Sequence, residues 1–407
     1  MNSVVLIGYG PDPLKSLERS AFSLRTWMFE KALLDSGFEV EKILFSKSNH
    51  NGCLNINSAS DRKIALKKVK QSNSLVVIGS GFDICKMICK WNLKNKYVVS
   101  DLNGWTASEI QARSFFDNSN VLVDRFCKLE KEILLRSDFV TTVSTAQKFA
   151  ILGELNILGK LTKETFLHSN VSAVANKGLS FDLSGMEAKD SDKFKILWLG
   201  GFNNWADEQT LFEGMSLLMD RFDFVELTVT GGTIRGVNDK KFENFKQLVE
   251  NSKHADKFKL LNWAKASLIP QIISESHLGL NCDLDCVETW TGARNRINEM
   301  IANGLPVVSS RGSEVAAELE THKIGALFES GNPRDLAFVI ELAINGQWKI
   351  WKQNAKNFEY SFDDFEEMLK YCLNPFANRI KKTNLLEKLV WYMRNKSLKD
   401  VLRKLGF

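Results

Sequence analysis

The stretch Gly292–Ser310, GARNRINEMIANGLPVVSS, decides how the rest of the chain is read. A glycine opens a helix, Arg294, Arg296 and Glu299 stand at its front, Gly304-Leu305-Pro306 makes a turn, and Val307-Val308 starts a buried strand. A helix N-terminus presents unpaired N–H groups and a partial positive charge, so it attracts phosphate. Two arginines at that end add charged, bidentate donors. Glu299 follows within the next turn or so, where it can accept hydrogen bonds from vicinal hydroxyls. The string supports two readings at this point: a grip on a nucleoside diphosphate, or a plain helix-to-strand connection with solvated arginines.

Working outward, apolar runs alternate with amphipathic segments. Val4 to Ile7 reads as a strand ending at Gly8-Tyr9-Gly10, and a helix follows over Phe22 to Asp35. Val40 to Phe45, Leu75 to Ile78, Tyr97 to Val99 and Phe139 to Val143 read as further strands, with a helix over Val123 to Arg136. Such alternation predicts a parallel sheet flanked by helices. After the polar stretch 182–193 the pattern restarts with Lys195 to Leu199 and Gly200-Gly201. Val225 to Val229, Phe258 to Leu261, Leu278 to Leu280 and Pro306 to Ser309 continue it. The expected fold class is α/β, with two doubly wound Rossmann-like domains facing a cleft. A helix over Tyr360 to Cys372, with Ser361 as its N-cap, then precedes a basic tail.

The chain has 407 residues, 44% hydrophobic and 25% charged, which fits two globular domains and excludes wholesale disorder. Net charge is +5, yet residues 376–407 carry nine Lys/Arg against Glu387 and Asp400, which leaves −2 for the remainder. A body of that charge argues against a nucleic-acid partner. Leu398, Val401, Leu402 and Leu405 recur in the tail at helical spacing among Lys and Arg. That pattern fits docking on an anionic membrane surface, or equally a surface helix packed on the body. The seven cysteines form no CxxC pair, and no apolar run is long enough to span a bilayer. With a strand at the very start in place of a signal peptide, the expectation is a cytoplasmic protein, peripheral on a membrane if the tail docks.

Four segments resemble GT-B glycosyltransferases of family 4. EMIANGLPVVSS (Glu299–Ser310) is similar to that family's donor-site helix and strand, and LWLGGFNNWADEQTLFEGM (Leu197–Met215) to the strand and glycine turn that open its donor domain. VETWTGARNRINEM (Val287–Met300) and VSTAQKFAILGELNILGKLT (Val143–Thr162) resemble a bacterial subgroup with an Arg-x-Arg donor-helix motif. The resemblance implies an acceptor-binding domain over 1–181, a linker over 182–193 and a nucleotide-sugar-binding domain over 194–355. A crossover helix over 356–373 would return to the first domain, and the basic tail, 374–407, lies outside the likeness. It also implies transfer of a sugar from a nucleoside-diphosphate sugar to a glycan or lipid-linked acceptor in cell-surface polysaccharide synthesis, with retention, without a metal and with no further cofactor. A sugar-nucleotide epimerase or a non-catalytic nucleotide-sugar binder stands as the alternative.

The resemblance assigns Glu299 to ribose or sugar hydroxyls. It also exposes two departures. Thr291 occupies the position of the family's first glutamate, with Glu288 three residues before it. Phe202, Asn203, Asn204 and Trp205 follow the glycine turn where a cationic pair is usual. Arg294 and Arg296 are expected to supply that charge from the donor helix, Arg294 with a catalytic role. The expected donor-side set is therefore Gly200, Gly201, Asn203, Gly232, Trp263, Glu288, Thr291, Gly292, Arg294, Arg296 and Glu299, with Trp263 stacking near the base. On the acceptor side, Asp101 follows a strand and is placed to orient or deprotonate a hydroxyl, its other role being to cap the next turn. Asn103 stands beside it, and Glu109 and Gln111 are weaker candidates. Gly8 and Gly10 either let a loop approach the acceptor or simply make a tight turn. Asp283-Leu284-Asp285 is read as loop carboxylates and not as a metal site.

Overall fold

The computed structural model describes residues 2–15, 20–47, 52–166, 170–186, 192–234 and 240–375. The basic tail, 376–407, and His168 lie outside the described residues. Strands β1 (Ser3–Tyr9), β2 (Glu39–Ser46), β3 (Leu54–Asn55), β4 (Val76–Ser80), β5 (Tyr97–Asp101), β6 (Phe139–Thr142) and β7 (Val171–Ala173) form one sheet. Its order is β3-β2-β1-β4-β5-β6-β7, and every pairing is parallel. Strands β8 (Phe194–Trp198), β9 (Val225–Val229), β10 (Phe258–Leu260), β11 (Leu278–Asn281), β12 (Val307–Ser310) and β13 (Gly325–Phe328) form a second. Its order is β10-β9-β8-β11-β12-β13, again all parallel. The strand order reverses between β1 and β4 and between β8 and β11, the switch points where ligands bind in doubly wound sheets.

Both faces of each sheet are covered, which is why the central strands read as continuous apolar runs. Val4 and Leu6 pack toward Met28 and Phe29 of helix Ala21–Asp35. Val5 and Ile7, pointing the other way, meet Ala65, Val69, Ile84 and Ile88. In the second sheet Ile196 and Trp198 face Leu211, Met215 and Leu218 of helix Glu208–Arg221, while Leu197 faces Ile297, Met300 and Ile301 of helix Asn295–Ala302. One apolar face of the donor helix is therefore pinned to the sheet, and its opposite face is left for Arg296 and Glu299.

The chain's final described segment returns to the first sheet, where Phe365, Met368, Tyr371 and Cys372 join Val4, Leu6, Phe29 and Phe139 in one core. It is shorter than the sequence predicts. A 3₁₀ turn over Asp363–Phe365 precedes the helix Glu366–Leu373, and Ser361 Oγ accepts from Asp363 N at 3.0 Å within that turn instead of capping the helix. Phe365, the last residue of that turn, sits edge-on to Phe29 with centroids 5.1 Å apart.

Several bonds join the two lobes behind the cleft. Ser144 Oγ donates to the Thr291 carbonyl at 2.6 Å, Thr145 N to Glu314 Oε2 at 2.7 Å, and Asn176 Nδ2 to Asn295 Oδ1 at 2.7 Å. Gly178 lies directly on the donor helix: a Cβ there would stand 2.1 Å from the Asn298 carbonyl oxygen and 2.6 Å from Ala302 Cβ.

Candidate active site

A cleft of about 680 Å³ opens between the lobes, beyond the carboxyl ends of both sheets. From the second lobe it is lined by Gly200, Gly201, Asn203, Trp263, Glu288, Arg294, Arg296 and Glu299, all expected from the sequence. From the first lobe Asn103 lines it, together with Phe22, Lys47, Glu109 and Arg113.

The two arginines of the donor helix have different surroundings. Arg294 occupies the N-cap of helix Asn295–Ala302 and is almost wholly buried. Its Nε donates to Asp283 Oδ2 at 2.5 Å, its Nη2 to Glu288 Oε2 at 2.8 Å and its Nη1 to Glu288 Oε1 at 3.2 Å. Burial works against its charge, yet Glu288 and Asp283 hold the guanidinium above its ordinary pKa. Arg294, expected from the sequence as a catalytic and phosphate-binding cation, thus lines the cleft with its guanidinium engaged by two carboxylates. Two carboxylates against one guanidinium leave a surplus negative charge, and burial, with Asp283 adding to it against the pull of Arg294, raises Glu288 to about 7.

Arg296 is the cation at the glycine turn. Its Nη2 donates to the Gly201 carbonyl at 2.6 Å, and its guanidinium lies 3.9 Å from the centroid of the Trp198 ring. Its Nη1 is buried without a hydrogen-bond partner among the described residues, and it forms no ion pair there. Burial lowers its pKa to about 10, so it stays charged at neutral pH. A buried guanidinium donor left unsatisfied is costly, and here the attraction of the nearby Asp283 offsets that cost only in part. Glu299 is three residues on, on the same cleft-facing side of the helix.

Other expected donor residues lie behind this surface. Thr291 is buried between the lobes, donating through Oγ1 to the Val287 carbonyl at 2.8 Å, 3.3 Å from Ser108 Oγ. Gly292 is required by the ion pair, since a Cβ there would fall 2.2 Å from Glu288 Oε1 and 2.8 Å from Arg294 Nη1. Gly232 backs the glycine turn, its carbonyl accepting from Phe202 N at 3.2 Å. Trp263 stands at the rim, over half exposed, with Nε1 donating to the Thr233 carbonyl at 2.8 Å. Thr291, Gly292 and Gly232, expected at the donor, are not among the residues lining the cleft.

The acceptor side changes more. Asp101 is the last residue of β5, two residues beyond the expected strand end, and its side chain shares the face of Tyr97 and Val99. That face lies under helix Ala21–Asp35, from which Arg25 reaches down. Arg25 Nη2 donates to Asp101 Oδ1 at 2.7 Å, and Nε lies 3.1 Å from Oδ2. The guanidinium also bonds the Val174 carbonyl at 2.6 Å and Asn176 Oδ1 at 2.8 Å, and Thr141 Oγ1 donates to Asp101 at 2.8 Å. Asp101 is completely buried and does not line the cleft, so it is a structural counter-ion and not an acceptor base. Gly8 and Gly10 are likewise packing positions: a Cβ would strike Thr26 Oγ1 at 2.2 Å or Cys53 Sγ at 2.5 Å. Asn103 remains at the cleft, its Oδ1 accepting from Asn176 Nδ2 at 3.2 Å.

Glu109 occupies the place expected for Asp101. It sits in the first turn of helix Thr106–Asp117, and its carboxyl faces the cleft's water while protein surrounds it. Burial, reinforced by Glu288 and opposed by Arg294, raises it to about 8. The signal was present in the sequence: the rule that favours groups beyond a strand's carboxyl end applies to the helix following β5 as well as to the strand terminus. Asp283 is held by Arg294, and among the described residues no cluster of three or more His, Cys, Asp or Glu is arranged to hold a metal.

Two parallel doubly wound domains across a common cleft define the GT-B fold. Residues 193–345 match the family model described as glycosyl transferases group 1. Over 93% of this chain and 100% of the other, the fold is similar to sucrose-phosphate synthase from Thermosynechococcus elongatus, with TM-score 0.60 at 12% identity. The catalytic domain of starch synthase IV from Arabidopsis thaliana, bound to ADP and acarbose, gives 0.62 at 11% identity, covering 93% and 99%. HepE from Anabaena, in complex with UDP and glucose, gives 0.57 at 13% identity, covering 91% and 99%. No curated protein matches the chain by sequence. The match and the fold together support a group 1 glycosyltransferase.

Proposed function

We propose that the chain transfers a sugar from a nucleoside-diphosphate sugar to a hydroxyl of a glycan or lipid-linked acceptor, in the synthesis of a cell-surface polysaccharide. The observation that carries this reading is Arg296, whose guanidinium lies between the Gly200-Gly201 turn and the start of the donor helix with Nη1 buried and without a partner among the described residues. A diphosphate there would receive its charge, the helix dipole and the turn's backbone. Glu299 would take ribose or sugar hydroxyls, and Trp263 would cover the base. Glu109 faces the donor site from the other lobe and is placed to hold the acceptor hydroxyl in line for attack.

Retention and independence from metal remain part of the proposal. The engagement of Asp283 with Arg294 supports the second, because a divalent ion would have to displace a guanidinium. No helix among the described residues is long and apolar enough to cross a membrane, so contact with a lipid-linked acceptor would rest on docking of residues 376–407 on an anionic surface of the cytoplasmic membrane. Calorimetry with UDP, ADP, GDP and dTDP tests the donor site directly. One of them is expected to bind, and Arg296→Ala to weaken it; binding that survives the substitution removes Arg296 from the account. Donor consumption in the absence of any acceptor would favour an epimerase. Donor binding with neither transfer nor breakdown would favour a non-catalytic binder. Flotation on anionic liposomes, with and without residues 376–407, tests the tail, and abolition of transfer by EDTA would overturn metal independence.

A further inference from the structure

A second cavity of about 760 Å³ lies beside the cleft, between helices Thr106–Asp117 and Val123–Arg136 and the turn that joins them. Ile110 and Phe126 line both cavities, so the two are neighbours across a shared wall, and Val287 of the second lobe also borders the outer one. Its volume is within the range of about 300–1,000 Å³ usual for small-molecule sites.

The chemistry of its walls differs from that of the cleft. The cleft is lined by Lys47, Glu109, Arg113, Arg296 and other charged groups, whereas among the described residues no charged side chain lines the neighbouring groove. Trp105, Ile110, Phe115 and Phe126 supply flat apolar surface. Gln111, Ser114, Asn118 and Asn120 supply amides and a hydroxyl that both donate and accept. Ser114 is buried, and its Oγ has no partner among the described residues, although buried hydroxyls are normally satisfied. Phe115 is 78% exposed, its ring edge-on to Phe116 with centroids 5.0 Å apart, so one of its faces is open to the groove.

We propose that this groove is an acceptor subsite for the uncharged glycan portion behind the hydroxyl that receives the sugar. The inference rests on the reading of the cleft as a donor site. Sugar rings present C–H faces that pack on aromatic surface and a ring of hydroxyls that pair with amides. Lipid chains would leave the amides and Ser114 unsatisfied. A phosphate or uronate would find no cation in the groove, whereas the adjoining cleft wall offers Lys47 and Arg113. The acceptor is thereby divided, with its reactive end among charges in the cleft and its neutral body between the two helices.

The test uses the full chain on an array of neutral, uronate-bearing and sialylated oligosaccharides, with a detergent-solubilised polyprenyl phosphate as a separate probe. Gln111 and Phe115 are both exposed, so Gln111→Ala and Phe115→Ala leave the fold intact. Neutral oligosaccharides are expected to bind, and Phe115→Ala to weaken them about fivefold to tenfold, with nucleoside diphosphate affinity unchanged. Capture of charged glycans alone, of polyprenyl phosphate alone, or of neutral glycans equally by parent and variants overturns the proposal. Failure of every nucleoside diphosphate to bind the parent would strike the donor-site reading instead, and the array separates the two results.

Discussion

Each lobe buries an arginine near the carboxyl end of a central strand, and the two arginines have different consequences. In the first lobe Arg25 meets a single carboxylate, Asp101, and its remaining N–H groups are taken by carbonyls and an amide. Charge is balanced and sealed from the cleft. In the second lobe Arg294 meets two carboxylates, so one negative charge is left over at the cleft wall. Burial raises Glu288 to about 7, with Asp283 adding to it, and burial together with Glu288 raises Glu109 to about 8. The first lobe's arginine thus serves as scaffold, while the second lobe's stands beside carboxyls that burial and a neighbouring carboxylate push upward.

The strongest way to break this comparison is to remove a partner in the sealed lobe. Asp101→Ala leaves Arg25 buried and uncompensated, with an expected loss of about 3–5 kcal/mol in urea denaturation. A variant of unchanged stability that fails only in sugar transfer would return Asp101 to the role of acceptor base. Next in size is Arg296→Ala, with an expected loss of about 2 kcal/mol in nucleoside diphosphate affinity, roughly thirtyfold, measured by calorimetry. Its denaturation midpoint is expected to hold, because relief of a desolvated charge offsets the lost bond to the Gly201 carbonyl and the contact with Trp198.

The pH response sharpens the contrast further. Glu109 has a folded value of about 8 against an ordinary 4.5, so its contribution to stability is complete below pH 4.5 and is lost as pH rises to about 8. Glu109→Gln cannot ionise. It is expected to gain stability on the parent progressively across that window and to level off above it, as followed by thermal denaturation at stepped pH. The carboxyl opens to water, so the gap is smaller than full burial would give. A constant difference at all pH values would mean that the fold does not raise the Glu109 carboxyl above its ordinary value. The smallest effect is expected of Trp263→Ala at the rim, a loss of about 1 kcal/mol in nucleotide affinity. A free nucleoside should lose as much as its diphosphate if the ring covers the base.

Most of the fold is legible in the sequence because it depends on local periodicity. Strand Val225–Val229 and helix Val123–Arg136 are read to the residue. The strands that escape notice, Leu54–Asn55, Val171–Ala173 and Gly325–Phe328, are short and lie at sheet edges, where no long apolar run is needed. The cleft is legible in outline, since glycine turns and helix starts mark strand ends. The partners of its charges are not. Arg294 and Arg296 are two residues apart and look alike in the string, yet Asp283 and Glu288 fold back on one, and a carbonyl and an indole face receive the other. Asp101 shows the same limit. One extra pleat carries it under Arg25, seventy-six positions away, and no window along the chain contains both.

Gly178 has a mechanical consequence. Where the connecting strand of chain rests on the donor helix, only a hydrogen separates its backbone from the Asn298 carbonyl. Even a methyl group at 178 would strike that carbonyl and wedge the connecting segment off the helix, with Ala302 Cβ only 2.6 Å from the added carbon.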